Sequence, residues 1–136
     1  MGGVNLIQCL RRLHLHDHTV FHQEIGDKFS YQIVIVENLN GVLLLDPKTR
    51  EVVSPDIREQ TRQTLTNLKS ILAAAGLTMA SVVNMRVTLR NTEDFPAFNE
   101  TFREFLAGEK VTRTCVGATP HRKGVNVEID CVAVFD

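Results

Sequence analysis

"SPDIREQTRQTLTNLKSILAAAG", residues 54–76, reads as one amphipathic helix, and that reading decides the fold class. Ser54 can cap the first turn through its hydroxyl, Pro55 suits the opening because it has no N–H to leave unpaired, and Asp56 favours the positive end of the helix dipole. Ile57, Thr61, Leu65, Leu68, Leu72 and Ala75 recur at spacings of three and four and form one stripe. Gly76 can close the helix in the left-handed conformation. The spacing predicts a helix over 56–75.

A helix with a single apolar stripe needs a surface to cover, and the flanking sequence supplies strands. "SVVNMRVTLR" (81–90) alternates Val83, Met85, Val87 and Leu89 against Asn84, Arg86, Thr88 and Arg90. "VNVEIDCVAVF" (125–135) alternates Val125, Val127, Ile129 and Cys131 against Asn126, Glu128 and Asp130. "YQIVIVEN" (31–38) and "GVLLLD" (41–46) are apolar runs that suit more deeply buried strands, and "DPKT" (46–49) is a turn. A second helix is predicted over 93–106, capped by Asn91 or Thr92, with Phe95, Phe98, Phe102 and Phe105 on one face as core rings. The order strand, strand, helix, strand, helix, strand, strand predicts an α+β fold with both helices on one face of a sheet. The strands carry few charges overall, and the other face is expected to meet a second copy of the chain.

The chain has 136 residues, 43% of them hydrophobic and 23% charged, which suits one domain over 1–136 with a real core. Residues 1–28 form a divergent N-terminal arm or edge strand in this reading. The net charge of −1 gives no basic excess for nucleic acid. No apolar run is long enough to span a membrane. Three cysteines without a CxxC pair indicate reduced thiols and a cytoplasmic protein, with a mitochondrial transit peptide as the alternative for the Arg11–Arg12 segment. Gly2 follows the initiator methionine, but Leu6 stands where a myristoylation signal wants Ser or Thr.

"VTRTCVG" (111–117) has strand composition and puts Arg113 and Cys115 on one face. Arg113 and Glu128 are expected to face each other across a final hairpin closed by "GATPHRKG" (117–124). The ordinary reading is a cross-strand ion pair. The sharper one is a site in which the guanidinium fork takes a carboxylate and the glutamate orients or deprotonates a water. Cys115 reads first as a small half-buried hydrophobe rather than a nucleophile. His14, His16, His18 and His22 match no metal-ligand spacing, so no metal is expected. There is no GxGxxG, Walker loop, HExxH or nucleophile elbow, and no cofactor is expected.

From about Tyr31 onward, "LDPKTREVVSPDIREQTRQTLTNLKSILAAAGL", "VVNMRVTLRNTEDFPAFNETFREF", "RTCVG" and "VNVEIDCVAVF" occur together in an order that resembles the Rid family of YjgF-type imine deaminases, also called the endoribonuclease L-PSP family. The resemblance implies a mixed sheet with two helices on one face, similar to chorismate mutase, assembled as a homotrimer with clefts between subunits. It implies hydrolysis of 2-imino acids to 2-keto acids and ammonia without a cofactor, the partners being that small molecule and further copies of the chain. It places the carboxylate ligand at Arg113, a main-chain contact at Cys115, the acidic residue that holds water at Glu128, and the asparagine of the "DFxxxN" segment at Asn99. The family's serine before glycine falls on Asn40 before Gly41, and its site tyrosine falls among Phe29, Ser30 and Tyr31, with Tyr31 the candidate. The segment before Asn40 is about three residues shorter than the family's. The alternatives are a trimeric binder of small carboxylates without turnover, and the ribonuclease or translation-inhibitor activity ascribed to some members.

Overall fold

The computed structural model describes residues 19–24, 32–37 and 45–135. Strands β1 (Thr19–Glu24) and β2 (Gln32–Glu37) precede helix α1 (Ile57–Ala74). Strand β3 (Val82–Leu89), helix α2 (Phe95–Phe105) and strands β4 (Thr112–Gly117) and β5 (Val127–Val134) follow. The strand expected at 31–38 is β2, and β1 lies within the N-terminal segment read as an arm or edge strand. The strand expected at 41–46 falls mostly outside the described residues. Its last apolar position, Leu45, makes an isolated antiparallel bridge to Val52. The "DPKT" turn forms as read, with Asp46 Oδ1 accepting the N–H groups of Lys48 and Thr49.

The cap of helix α1 lies two positions after Ser54. Asp56 is the cap, and its carboxylate accepts the Glu59 N–H at 3.0 Å. Ser54 instead accepts the Asp56 N–H at 3.1 Å. At the other end Gly76 takes φ +80°, its N–H reaches Ala73 O at 3.0 Å, and the Leu77 N–H reaches Leu72 O at 2.8 Å. That pair of bonds satisfies two terminal carbonyls and turns Leu77 into the core. The stripe is buried as spaced, except Ala75 at the end, which is half-buried, and is widened by Gln60, Thr64 and Ile71.

Helix α2 begins with a 3-10 turn over Thr92–Asp94, where Asn91 Oδ1 accepts the Glu93 N–H at 3.0 Å. Of the four phenylalanines read as core, Phe98 and Phe102 are buried and Phe105 packs partly against the core. Phe95 is 39% exposed. Arg58–Glu100 at 2.6 Å and Arg62–Glu104 at 3.8 Å lie one turn apart on both helices and align them, as exposed pairs of small energetic value.

The sheet order is β1-β2-β5-β3-β4. Strands β3 and β4 are parallel, and the other neighbours are antiparallel. The sheet is therefore mixed, with α2 as the crossover that parallel neighbours require. Met85, Val87, Leu89, Val127, Ile129, Cys131 and Ala133 meet both helices in one core. The alternation read for residues 81–90 holds from Met85 onward. Before it, a register irregularity between Val82 and Asn84 buries Val82 and leaves Val83 44% exposed, reversing the side expected for Val83.

The final hairpin is absent. Strand β5 runs between β2 and β3, and β4 lies outside β3, so segment 118–126 crosses the end of β3 instead of turning back on β4. Three side chains hold this crossing. Gln60, fully buried in α1, donates to Ser54 O at 2.7 Å and Gly124 O at 2.8 Å and accepts the Asn126 N–H at 2.8 Å. Arg90 donates to Val125 O, and Asn126 donates to Pro55 O. Gln60→Leu would keep the volume and strand those backbone groups without partners. It should lower stability by roughly 2–4 kcal/mol, read by urea or thermal unfolding, since each buried group left unpaired costs about 1–3 kcal/mol. An unchanged midpoint would show that the segment re-pairs without it. No helix among the described residues is long and apolar enough to cross a membrane.

Candidate active site

Parallel pairing sets Arg113 opposite Met85 and Cys115 opposite Val87. Both therefore point to the face that the helices cover. In the interior of the sheet such an arginine would be buried under α1. On the outer strand β4 it reaches the flank of α2 instead. There Phe95, Phe98, Asn99 and Phe102 stand at spacings of three, four and seven, which is one helical face. The guanidinium carbon lies 5.6, 5.5 and 4.7 Å from the ring centroids of Phe95, Phe98 and Phe102. One Nη2–H donates to Asn99 Oδ1 at 2.9 Å.

Ring faces attract a cation, worth about 0.5–2 kcal/mol in total at a partly buried site, without neutralising it. Asn99 likewise fixes the guanidinium while remaining uncharged. Among the described residues no carboxylate forms an ion pair with Arg113. An open pocket of ≈ 440 Å³ lies beside it, with Phe102, Leu106 and Val111 as apolar wall and Asn99, Arg103 and Glu109 as polar groups. An oriented guanidinium with unused donors and an open approach is suited to a planar anion.

Cys115 is half-buried two residues along the same face. Burial pushes its thiol pKa up, opposed by the positive charge of Arg113. A thiol held protonated is a poor nucleophile, consistent with contact rather than attack.

Glu128 is elsewhere. It pairs with Thr88 on β3 and points to the face opposite α1 and α2, with Arg86 and Asp130 in the next row. Asp130 Oδ2 accepts from Arg86 Nη2 at 2.7 Å there. Burial raises the Glu128 carboxyl pKa, and the Asp130 charge adds to the rise, while Arg90 and His121 oppose it. The expected cross-strand meeting of Arg113 and Glu128 is thus corrected. Strand β3 separates them, two strand spacings or about 10 Å across the sheet, and their side chains leave opposite faces. The reason is topological: a parallel β3-α2-β4 unit puts β4 on the outside, and the last strand fills the inner position. Within one chain the two groups cannot act on one small molecule.

Asn99, the asparagine that the resemblance names, accepts a hydrogen bond from Arg113. Asn40, Gly41 and Tyr31 lie outside the described residues, as do His14, His16 and His18. His22 lies in β1. Among the described residues no group of three metal-ligating side chains is assembled. Sequence reasoning missed the aromatic cradle of Arg113. Its signal was available, because an asparagine that holds an arginine must share its helix face with rings at i−4 and i+3. It also missed the electrostatic influence on Glu128 of Arg90, at the end of β3, and of His121, in segment 118–126.

The profile of the endoribonuclease L-PSP family matches residues 19–135. The chain belongs to the Rid, or endoribonuclease L-PSP, family. A RutC family protein of Pyrococcus horikoshii is 40% identical to this Rid chain over 93 residues, covering 68% of this chain and 74% of the relative. A 2-iminobutanoate/2-iminopropanoate deaminase of Dermatophagoides farinae is 34% identical over 98 residues, covering 72% and 77%. Among solved structures, E. coli TdcF with bound serine superposes with a TM-score of 0.65 at 29% identity, over 82% of this chain and 85% of that one. The match extends the Rid region of this chain back to β1, twelve residues before the start at Tyr31 read from the sequence.

Proposed function

We propose that this Rid chain hydrolyses 2-imino acids to 2-keto acids and ammonia in clefts between the copies of a homotrimer. The observation that carries the reading is Arg113, a guanidinium without a counter-charge among the described residues, set in an aromatic cradle at the outer strand of the sheet. The deaminase relative acts on acids of this kind, and TdcF binds serine, another α-substituted carboxylate.

Arg113 takes the substrate carboxylate through two parallel N–H···O bonds, and Asn99 fixes the plane of the fork. This leaves C2 at a set distance from the guanidinium. The water is held by a Glu128 that comes from the adjacent copy, whose uncovered sheet face packs against the outer strand of the first. That packing also removes from solvent Val116, which is 46% exposed in the single chain. The water oxygen bonds to C2 as the C=N π pair moves to nitrogen, and Glu128 carries the water proton to that nitrogen. The new hydroxyl gives up its proton by the same route, the C–N bond breaks with its pair on nitrogen, and ammonia leaves a 2-keto acid. A carboxyl with a raised pKa suits both halves of the relay, since it accepts and returns a proton near neutrality more readily than an exposed one. Main-chain groups at Cys115 and at Asn40–Gly41, with Tyr31, orient the imine nitrogen.

The test supplies a fresh imine from an amino-acid oxidase and follows its disappearance with and without the chain. The expected result is acceleration at micromolar chain, over a background that is already quick. No acceleration, together with measurable binding of the 2-keto acid, would replace the hydrolase by a carboxylate-binding trimer.

A further inference from the structure

The pocket beside Arg113 is larger than a short acid needs. It runs from Asn99 and Arg113 toward the C-terminal end of α2, past Phe102 and Arg103 to Leu106. The helix stops at Phe105, the Glu109 N–H returns to Leu106 O at 2.9 Å, and Gly108 at φ +87° turns the chain back toward β4. So tight a return leaves room along the flank of α2, between Phe102 and Val111, and the pocket of ≈ 440 Å³ lies there. Val111 stands one row before Arg113, about 7 Å along an extended chain, and packs partly against the core. Pockets of about 300–1,000 Å³ hold ligands of drug size. The deaminase relative is named for 2-iminobutanoate and 2-iminopropanoate, whose side chains are an ethyl and a methyl group. Either would leave most of this pocket to water.

We propose that the pocket takes the side chain of the imino acid, and that this chain prefers 2-imino acids with a branched or extended apolar side chain to the shortest ones. The turnover rests on the hydrolase reading, while the binding preference stands without it. With the carboxylate on Arg113, the substituent at C2 runs past the Phe102 ring, 4.7 Å from the guanidinium carbon, onto Leu106 and Val111. Phe102 and Leu106 belong to the core cluster, so that floor is rigid. The polar groups farther along, Arg103 and Glu109, are both exposed and of opposite charge. Solvated charges of that kind contribute little to a ligand, and together they give a second carboxylate no net attraction. Each methylene moved from water onto the apolar floor is worth up to about fourfold in binding. Val111, half-buried on the β4 side, is the specificity-determining residue, because its size sets the width of the pocket.

The test is calorimetry of the full-length chain with 2-oxopropanoate, 2-oxobutanoate, 4-methyl-2-oxopentanoate and 2-oxopentanedioate, beside KM for the imines that an amino-acid oxidase makes from alanine and leucine. Binding should tighten along the first three, the branched acid binding about tenfold or more tighter than 2-oxopropanoate, and KM for the leucine imine should be lower by a similar factor. Val111→Phe fills the pocket and should bring that ratio down to about one at an unchanged melting temperature. A flat or weakening series in the parent overturns the proposal. So does tightest binding of 2-oxopentanedioate, which would give Arg103 a second carboxylate to hold, and so does a folded Val111→Phe chain with the parental ratio. The parent series needs no variant, so it decides the matter even where Val111→Phe fails to fold. A rising series without any imine loss keeps the pocket assignment and sinks only the hydrolase reading.

Discussion

Arg113→Ala will lower kcat/KM for imine hydrolysis by at least about a hundredfold and abolish 2-keto acid binding, while the chain keeps its fold. Two charge-assisted hydrogen bonds to a carboxylate in a desolvated cleft are worth about 1.5–3 kcal/mol each, so even the lower figure doubled removes two decades. The fold should tolerate the change for a structural reason. Among the described residues Arg113 makes one hydrogen bond, to Asn99, and it stands over rings whose burial does not depend on it, since Phe98 and Phe102 pack on the core beneath. A loss of about 1 kcal/mol of cation–ring attraction is the expected stability cost. Arg113→Lys should recover little activity. An ammonium can sit over the rings but cannot offer two parallel donors to a planar anion, and it cannot hold Asn99 at the same time in the same plane. Steady-state kinetics with a freshly generated imine, beside melting curves of both variants, checks each part. An Arg113→Ala protein with parental turnover would mean that the carboxylate is held elsewhere.

What could be read from the sequence, and what could not, follows from the range of the interactions involved. Helix α1 was legible because its stripe, its acidic cap region and Gly76 are all local, and the shift of its cap by two residues reflects a competition between Ser54 and Asp56 for the same role. The core face of β5 was legible because an alternation of Val127, Ile129 and Cys131 has only one way to be half-buried. The neighbours of β4 were not legible. Its composition is the same whether it pairs with β3 or with β5, and only the path of the chain through α2 decides between them. That single decision determines whether Arg113 and Glu128 meet within a chain. The resemblance picks out both residues by spacing along the sequence, but the faces they occupy follow from pairing partners 28 and 40 residues away, Met85 and Thr88. The cradle of Arg113 lay between these cases: the phenylalanine spacing showed a face, and the structure divided it into two core rings and one, Phe95, turned outward to the arginine.

The opposite faces of Arg113 and Glu128 lead to a sharper expectation than loss of activity. Arg113→Ala and Glu128→Gln should each be nearly inactive alone, and a mixture of the two, unfolded and refolded together, should regain activity. If every site takes its arginine from one copy and its glutamate from the next, random association leaves about a quarter of the sites with both native residues. If one chain supplied both, no site in any mixture would be complete, and the recovered activity would be zero. The two outcomes are separated by more than the error of any rate assay. Native mass spectrometry on the refolded sample should show trimers of mixed composition, made visible by the mass difference between the variants. Mixed trimers without recovered activity would place the water-holding group within reach of Arg113 on its own chain. In that case the reacting carboxylate is a different one, and the first to try is Glu109, which lines the pocket on the arginine's own side of the sheet.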